Sequence, residues 1–185
     1  MSPVVYFLPG QGGRLTGRLG GNLSARGFKV VGRETVEEFR GLSFQDKIEI
    51  ISRDLREHFW HEEACVVANS FGGYLFLHAQ TLLEPYVGRV LLLSPIVGQF
   101  DNKESWMSFI PPHAERLIQL ASAGNFPAPR HCEIHVGEND WQSIPDNVTA
   151  FADLTGLRAC VVPDLGHELG KEYVDSVLDR WLPVA

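Results

Sequence analysis

Residues 64–73 read Ala-Cys-Val-Val-Ala-Asn-Ser-Phe-Gly-Gly, a stretch that joins two different hydrophobic patterns. The run from Ala64 to Ala68 is continuously apolar, which is typical of a strand buried on both faces of a sheet. The residues that follow are apolar almost all round, which predicts a buried helix over residues 71–83. Ala68, Ser70 and Gly72 therefore form a small-x-Ser-x-Gly turn between strand and helix. Small flanking residues permit so sharp a turn, and its serine hydroxyl stands at the helix N-terminus.

Strands and helices alternate along the chain on both sides of this turn. Short apolar runs predict further strands at residues 4–8, 28–31, 90–93, 132–136 and 159–162. Helical spacing of apolar residues predicts helices at residues 16–26, 44–59, 113–123, 148–154 and 173–181. Because the strands are continuous apolar runs, both faces of the sheet must be covered. The pattern predicts an α/β protein, a three-layer αβα sandwich with a six-stranded, mostly parallel sheet.

Length and composition restrict the protein to a few classes. A chain of 185 residues has the ordinary length of one domain, so residues 1–185 are expected to form a single domain. The irregular stretch at about residues 98–129 is a candidate for a short cap or lid. With 16 Lys and Arg against 23 Asp and Glu, the net charge is −7, which disfavours a nucleic-acid partner.

The chain also lacks the usual signals of a secreted or membrane protein. Its apolar runs are far too short to span a membrane. No basic segment followed by an apolar one marks a signal peptide at the N-terminus. The chain has three cysteines, an odd number, and it is large enough to fold without disulfides. Both features favour a reduced, cytoplasmic protein.

Two further polar residues follow predicted strands. Asp140 comes shortly after the fifth strand, and His167 comes after the sixth. Right-handed crossovers bring the carboxyl ends of parallel strands to one edge of a sheet, where ligands bind. Taken singly, Ser70 could cap a helix, and Asp140 and His167 could be loop or capping residues. Their joint placement after three strands, in the order Ser, Asp, His, indicates a catalytic constellation.

On these motifs the sequence resembles the α/β-hydrolase superfamily, and the resemblance extends from residues 4–10 to His167. It implies a compact single-domain serine hydrolase with Ser70 as nucleophile, His167 as general base and Asp140 as the acid that orients the imidazole. It also implies an oxyanion hole formed by the backbone N–H groups of Phe71 and Gln11.

Several weaker signals have more than one explanation. Asp101 follows the fourth strand and is an alternative orienting acid. Trp106 and Trp141 could line the substrate pocket or pack on the core. His131, Glu133 and His135 alternate along one strand, but they lie toward its start and form no full ligand set, so we predict no metal site.

The function predicted from these residues is hydrolysis of a small carboxylic ester or thioester through a covalent acyl-enzyme, without a cofactor. The main alternative is a hydrolase-fold binding or receptor protein with vestigial turnover, because a fold does not decide function. A nucleotide-binding fold fits less well. The Gly-rich loop at residues 10–13 has Leu15 where a dinucleotide fingerprint needs its third glycine, and no P-loop lysine is present.

Overall fold

The computed structural model describes residues 3–102, 107–109 and 112–182. The strands are β1 (Val4–Leu8), β2 (Lys29–Gly32), β3 (Cys65–Asn69), β4 (Arg89–Leu93), β5 (Phe100–Asn102), β6 (Met107–Phe109), β7 (His131–Gly137) and β8 (Arg158–Val162). The helices are α1 (Arg18–Ala25), α2 (Glu37–Gly41), α3 (Phe44–His58), α4 (Phe71–Gln80), α5 (Arg116–Ser122), α6 (Pro145–Thr155) and α7 (Lys171–Trp181).

Six strands form one sheet in the order β2-β1-β3-β4-β7-β8, and every neighbouring pair is parallel. This confirms the predicted fold class. Successive side chains of a strand point to opposite faces. In β1, Tyr6 and Leu8 accordingly pack in a core shared with α3 to α6, whereas Val5 and Phe7 pack in a core shared with α1 and α7. The result is the predicted three-layer sandwich.

The structure departs from the sequence predictions at several points. Helix α4 ends at Gln80 rather than at residue 83, because the backbone N–H groups of residues 81–83 bond three residues back instead of four. Helix α5 begins at Arg116 rather than at residue 113, because His113 has a φ of 59°, which a right-handed helix cannot contain. The short helix α2 was not predicted.

The segment at about residues 98–129 contains a second element that was not predicted. Strands β5 and β6 form a two-stranded antiparallel ribbon outside the main sheet. Each strand has only three residues, too few for an alternating pattern to be recognised. That this segment acts as a cap or lid stays a prediction, as does the single-domain assignment. None of the helices in the described part of the chain is long and apolar enough to cross a membrane.

Candidate active site

Ser70 occupies a sharp turn between β3 and α4. Its backbone has φ 52° and ψ −122°, a conformation that residues other than glycine rarely adopt. Backbone hydrogen bonds to β4 and to the loop after it hold the turn in place. The Ser70 N–H donates to the Leu93 carbonyl at 3.0 Å, and the Ser70 carbonyl accepts from the N–H of Ile96 at 3.2 Å. These bonds fix the strained residue.

Glycines allow the serine turn to pack tightly against the end of β1. A Cβ on Gly72 would lie 2.1 Å from the carbonyl oxygen of Leu8, an impossible contact. A Cβ on Gly10 would lie 3.2 Å from the Cβ of Ser70. The small residues of the sequence motif are therefore required by close approach between α4 and the loop after β1.

His167 lies between Ser70 and Asp140 and bonds to both. Its Nε2 is 2.8 Å from the Ser70 Oγ, and its Nδ1 is 2.9 and 3.0 Å from the two carboxylate oxygens of Asp140. An ionised carboxylate only accepts hydrogen bonds, so Nδ1 donates to Asp140. The unprotonated Nε2 then accepts from the Ser70 hydroxyl. The arrangement can take the serine proton as the oxygen attacks an electrophile.

The Asp140 carboxylate is buried and held by its own loop. Its Oδ1 accepts hydrogen bonds from the backbone N–H groups of Gln142 at 2.9 Å and Ser143 at 2.8 Å. The loops after β7 and β8 pack together, because the N–H of Asn139 donates to the Leu165 carbonyl at 2.8 Å. This contact helps to keep the carboxylate beside the imidazole of His167.

The loop after β1 forms a tight turn at residues 10–13. The Gly13 N–H donates to the Gly10 carbonyl at 2.9 Å, and Gly12 at the third position of the turn has φ +73°. These values fit a type II turn, which places glycine there. In the described part of the chain, the N–H of Gln11 makes no hydrogen bond, so it is available to a ligand. Phe71, the other predicted donor, is the first residue of α4, whose leading amides point out of the helix end.

Thr35 holds this turn and was missed by the sequence analysis. Its hydroxyl donates to the carbonyl of Gly10 and accepts from the N–H of Gly13 at 2.9 Å, and its own N–H donates to the Gly13 carbonyl at 3.0 Å. Thr35 is 2% exposed. It follows β2 in a segment without a recognisable motif, so nothing in the sequence marked it.

A cleft of about 790 Å³ opens beside Ser70 and His167 on the α1 and α7 side of the sheet. Its apolar lining comes from Phe7, Pro9, Leu19, Leu93, Leu169 and Val174. Ser94 also lines it, and this residue was not predicted. The Ser94 side chain is 3% exposed, and its Oγ has no hydrogen-bond partner within the described residues. A buried hydroxyl without a partner can bind a polar group of a ligand.

Three cations line the same cleft, and each is paired with an acid. Arg14 bonds to Glu37 at 2.7 Å. Arg18 lies 3.3 Å from Glu168. Lys171 bonds to Asp175 at 2.6 Å, and this contact helps to lower the pKa of the Asp175 carboxyl to about 2. The positive charges at this cleft are therefore largely balanced.

Of the remaining sequence-predicted residues, the structure describes the side chain of Trp141. Trp141 packs against the core on the opposite face, with its ring edge-on to Phe100 at 5.6 Å, and is not among the described residues that line the cleft. Trp106 lies outside the described residues. Asp101 is in β5, paired in register with Ser108, and its side chain also lies outside the described residues.

His135 of β7 has structural partners. His135 bonds through Nδ1 to the Tyr173 hydroxyl at 2.8 Å and lies 3.4 Å from Glu133 through Nε2. Burial lowers the pKa of His135, so the ring stays neutral. Among the described residues, no group of three or more His, Cys, Asp or Glu side chains could hold a metal ion.

Solved structures resemble the chain although no protein-family model and no curated protein matches it. A monoacylglycerol lipase of Paleococcus ferrophilus is 13% identical over 98% of this chain and 95% of its own, with a TM-score of 0.65. Alpha/beta hydrolase domain-containing protein 10 from mouse is 12% identical over 97% and 89%, with a TM-score of 0.70. The ydeN gene product of B. subtilis is 15% identical over 97% and 98%, with a TM-score of 0.64. At these identities the likeness is one of fold, and the chain has the α/β-hydrolase fold.

Proposed function

We propose that the protein is a serine hydrolase that cleaves a small carboxylic ester or thioester. The observation that carries this proposal is the hydrogen-bonded series from Ser70 through His167 to the buried carboxylate of Asp140. The series lies at the edge of the sheet where the parallel strands end, and it faces a cleft of about 790 Å³. This volume falls in the range of small-molecule sites, roughly 300–1,000 Å³.

In the first step, the Oγ of Ser70 attacks the carbonyl carbon of the substrate and its proton passes to Nε2 of His167. The carbonyl π electrons move to oxygen and form a tetrahedral oxyanion. Asp140 stabilises the resulting imidazolium and keeps the ring in the tautomer that the step needs. Re-formation of the carbonyl expels the alcohol or thiol, which leaves with the proton of Nε2.

The oxyanion needs hydrogen-bond donors that are already in position. We assign this role to the N–H of Gln11, on the turn held by Thr35, and to the N–H of Phe71, at the N-terminus of α4. Both belong to backbone held in place by neighbouring elements, so little reorganisation accompanies the reaction. Loss of one such donor costs about 10²–10³ in rate in a serine protease.

In the second step, water attacks the acyl group on Ser70 and gives its proton to His167. The second tetrahedral intermediate releases the carboxylic acid, and the Ser70 oxygen recovers its proton from Nε2. Both steps use only residues of this chain and water, so the reaction as proposed requires no cofactor.

The proposal is tested by reaction with a fluorophosphonate probe and by turnover of p-nitrophenyl esters of increasing acyl length. We expect rapid labelling at Ser70 and hydrolysis of the short esters. Ser70→Ala should abolish labelling and reduce kcat/KM by at least about 10⁴-fold, because the nucleophile is lost. Ser122→Ala is the matched control, since Ser122 is exposed at the end of α5 and is not among the described residues that line the cleft.

Two results would contradict the proposal. Near-normal turnover by Ser70→Ala, with an unchanged circular dichroism spectrum, would exclude Ser70 as the nucleophile. Folded wild-type protein that neither reacts with the probe nor hydrolyses any ester would favour the alternative, a binding protein built on the same fold.

A further inference from the structure

A second cleft, of about 770 Å³, lies at the opposite edge of the sheet. We call it the basic groove and define it by the residues Arg89, Arg130, His131, Arg158 and Trp181, all of which line it. None of these residues has a part in the proposed hydrolysis. The groove lies where the strands begin, whereas Ser70 and His167 lie where they end.

The topology gathers the basic residues from distant parts of the chain. Strand β4 begins at Arg89, β7 begins at His131 directly after Arg130, and β8 begins at Arg158. These three strands are consecutive neighbours in the sheet, and Arg89 is paired in register with His131. Adjacent strands are about 4.8 Å apart. Basic side chains from three strand starts therefore converge on one short edge.

Few acidic side chains pair with these cations. In the described part of the chain, the guanidinium groups of Arg89 and Arg130 make no hydrogen bond or ion pair. Arg158 is 3.9 Å from Glu133, a weak contact. The same Glu133 bonds to Arg180 at 2.7 Å.

The other acid that lines the groove is Glu62, which forms no ion pair with another described residue. With Glu133 occupied by Arg180, three guanidinium groups share the groove with one uncommitted carboxylate. The protein as a whole has a net charge of −7, so this local excess of positive charge contrasts with the rest of the molecule.

The guanidinium group of Arg89 is also held in place. The guanidinium carbon of Arg89 lies 4.8 Å from the centroid of the Trp181 ring, an arrangement stabilised by cation–π attraction. Trp181 itself is 3% exposed and belongs to the core under α7. The backbone N–H of Arg130 donates to the Tyr86 carbonyl at 3.0 Å. Positions fixed before binding reduce the entropy lost when a ligand is bound.

We propose that the basic groove binds a small molecule that carries a phosphate or diphosphate group. Guanidinium groups present planar pairs of N–H donors that match the oxygens of phosphate, and several of them together favour an anion with more than one charge. The volume of about 770 Å³ suits a small ligand rather than an extended polymer. The nearby Ala128 and Leu157 offer apolar contacts to the rest of such a molecule.

The experiment is isothermal titration of the full chain with inorganic pyrophosphate at about 0.15 M NaCl, where weak surface attraction is screened. We expect a single site with a dissociation constant below about 1 mM. The double variant Arg130→Gln/Arg158→Gln should bind at least about tenfold more weakly, because two of the three guanidinium groups are lost. Both side chains are exposed, so the melting temperature without ligand should change little.

Two matched proteins complete the test. Arg53→Gln removes the same charge from an exposed position on α3 and should leave binding within about twofold of wild type. Ser70→Ala should bind pyrophosphate normally, so the outcome is independent of whether the protein hydrolyses esters. Failure of esterase activity and failure of anion binding are thus separate results.

Three results would overturn the proposal. The first is a wild-type protein that does not bind pyrophosphate with a dissociation constant below about 1 mM. The second is an equal loss of affinity in Arg53→Gln, which would mean that only net charge matters. The third is tighter binding of a deca-glutamate peptide than of pyrophosphate, lost in the same double variant. That result would assign the groove to an acidic segment of a partner protein.

Discussion

The cleft beside Ser70 and the basic groove are nearly equal in volume, about 790 and 770 Å³, but they differ in whether their cations are paired with acids. In the first, the cations of the lining are paired with acids, as in the 2.7 Å contact of Arg14 with Glu37. In the second, Arg89 and Arg130 have no such partner among the described residues. Paired surface charges contribute little to recognition. Unpaired guanidinium groups keep their donors available for an external anion.

The two ends of the strands differ for a structural reason. The carboxyl ends of β1 and β3 lead into loops and helix N-termini, which supply backbone N–H donors around Ser70. At the amino ends of β4 and β7, the backbone N–H groups of Arg89 and Arg130 already donate to the carbonyls of Ala64 and Tyr86, so side chains would bind an anion there. The C-termini of α6 and α7, next to Gly156 and at Trp181, also border the basic groove. Their partial negative charge favours cations nearby without occupying the donors of Arg89 or Arg130.

After Ser70→Ala, the largest effect expected on one cleft alone is that of Asp140→Asn. The asparagine keeps the shape of the side chain but favours the wrong imidazole tautomer of His167, a change that cost about 10⁴ in kcat in a serine protease. We expect a loss of several orders of magnitude in p-nitrophenyl ester turnover. Pyrophosphate binding in the basic groove should not change, because Asp140 follows the opposite ends of the strands.

The control for this variant is Asp153→Asn, which removes the same charge from an exposed position on α6. It should retain turnover within about twofold of wild type. Full activity of a folded Asp140→Asn protein would exclude Asp140 as the orienting acid and move that role to another carboxylate, with Asp101→Asn as the next variant to assay.

The sheet and the residues after its strands could be predicted from the sequence, because both depend on local patterns. Each strand is a continuous apolar run, and parallel topology then places Ser70, Asp140 and His167 at one edge. Thr35 and Ser94 could not be predicted in the same way. Their positions depend on how loops from different strands pack against one another, and no short-range pattern encodes that packing.

The basic groove could not be predicted from the sequence either. Arg89, Arg130 and Arg158 are separated by tens of residues, and each is an ordinary polar residue at the start of a strand. Only the order β4-β7-β8 brings them together. Periodicity identifies strands without identifying which basic residues lie together at their starts.

A smaller effect is expected from Thr35→Val, which tests the turn that carries Gln11. Valine fills a similar volume but leaves the Gly13 N–H and the Gly10 carbonyl without their hydroxyl partner. We expect kcat to fall about 10- to 100-fold with a smaller change in KM, since a displaced donor stabilises the oxyanion less. Thr35→Ser should restore most of the rate, because it returns the hydroxyl.

Two further measurements distinguish positioning from general destabilisation in Thr35→Val. Loss of the buried hydrogen bonds is expected to lower the free energy of unfolding by about 1–3 kcal/mol, measured by urea denaturation. Pyrophosphate binding by the folded fraction should stay normal. A variant with that stability loss but unchanged kcat would show that the turn does not position a catalytic donor.

The smallest effect is expected from Arg18→Gln at the catalytic cleft, and it bears directly on the contrast between paired and unpaired charge. Arg18 lies 3.3 Å from Glu168, and both side chains are largely exposed. Arg18→Gln leaves the Glu168 carboxylate unpaired at the cleft. Because that carboxylate is largely exposed and screened by solvent, it should weaken turnover of an anionic ester only slightly relative to a neutral one. The measurement compares kcat/KM for p-nitrophenyl butyrate with that for the p-nitrophenyl monoester of succinic acid. We expect the ratio of the two to change by less than about twofold. A tenfold loss confined to the succinate ester would mean that Arg18 acts as a free cation despite Glu168. That result would contradict the statement that the positive charges of the catalytic cleft are balanced.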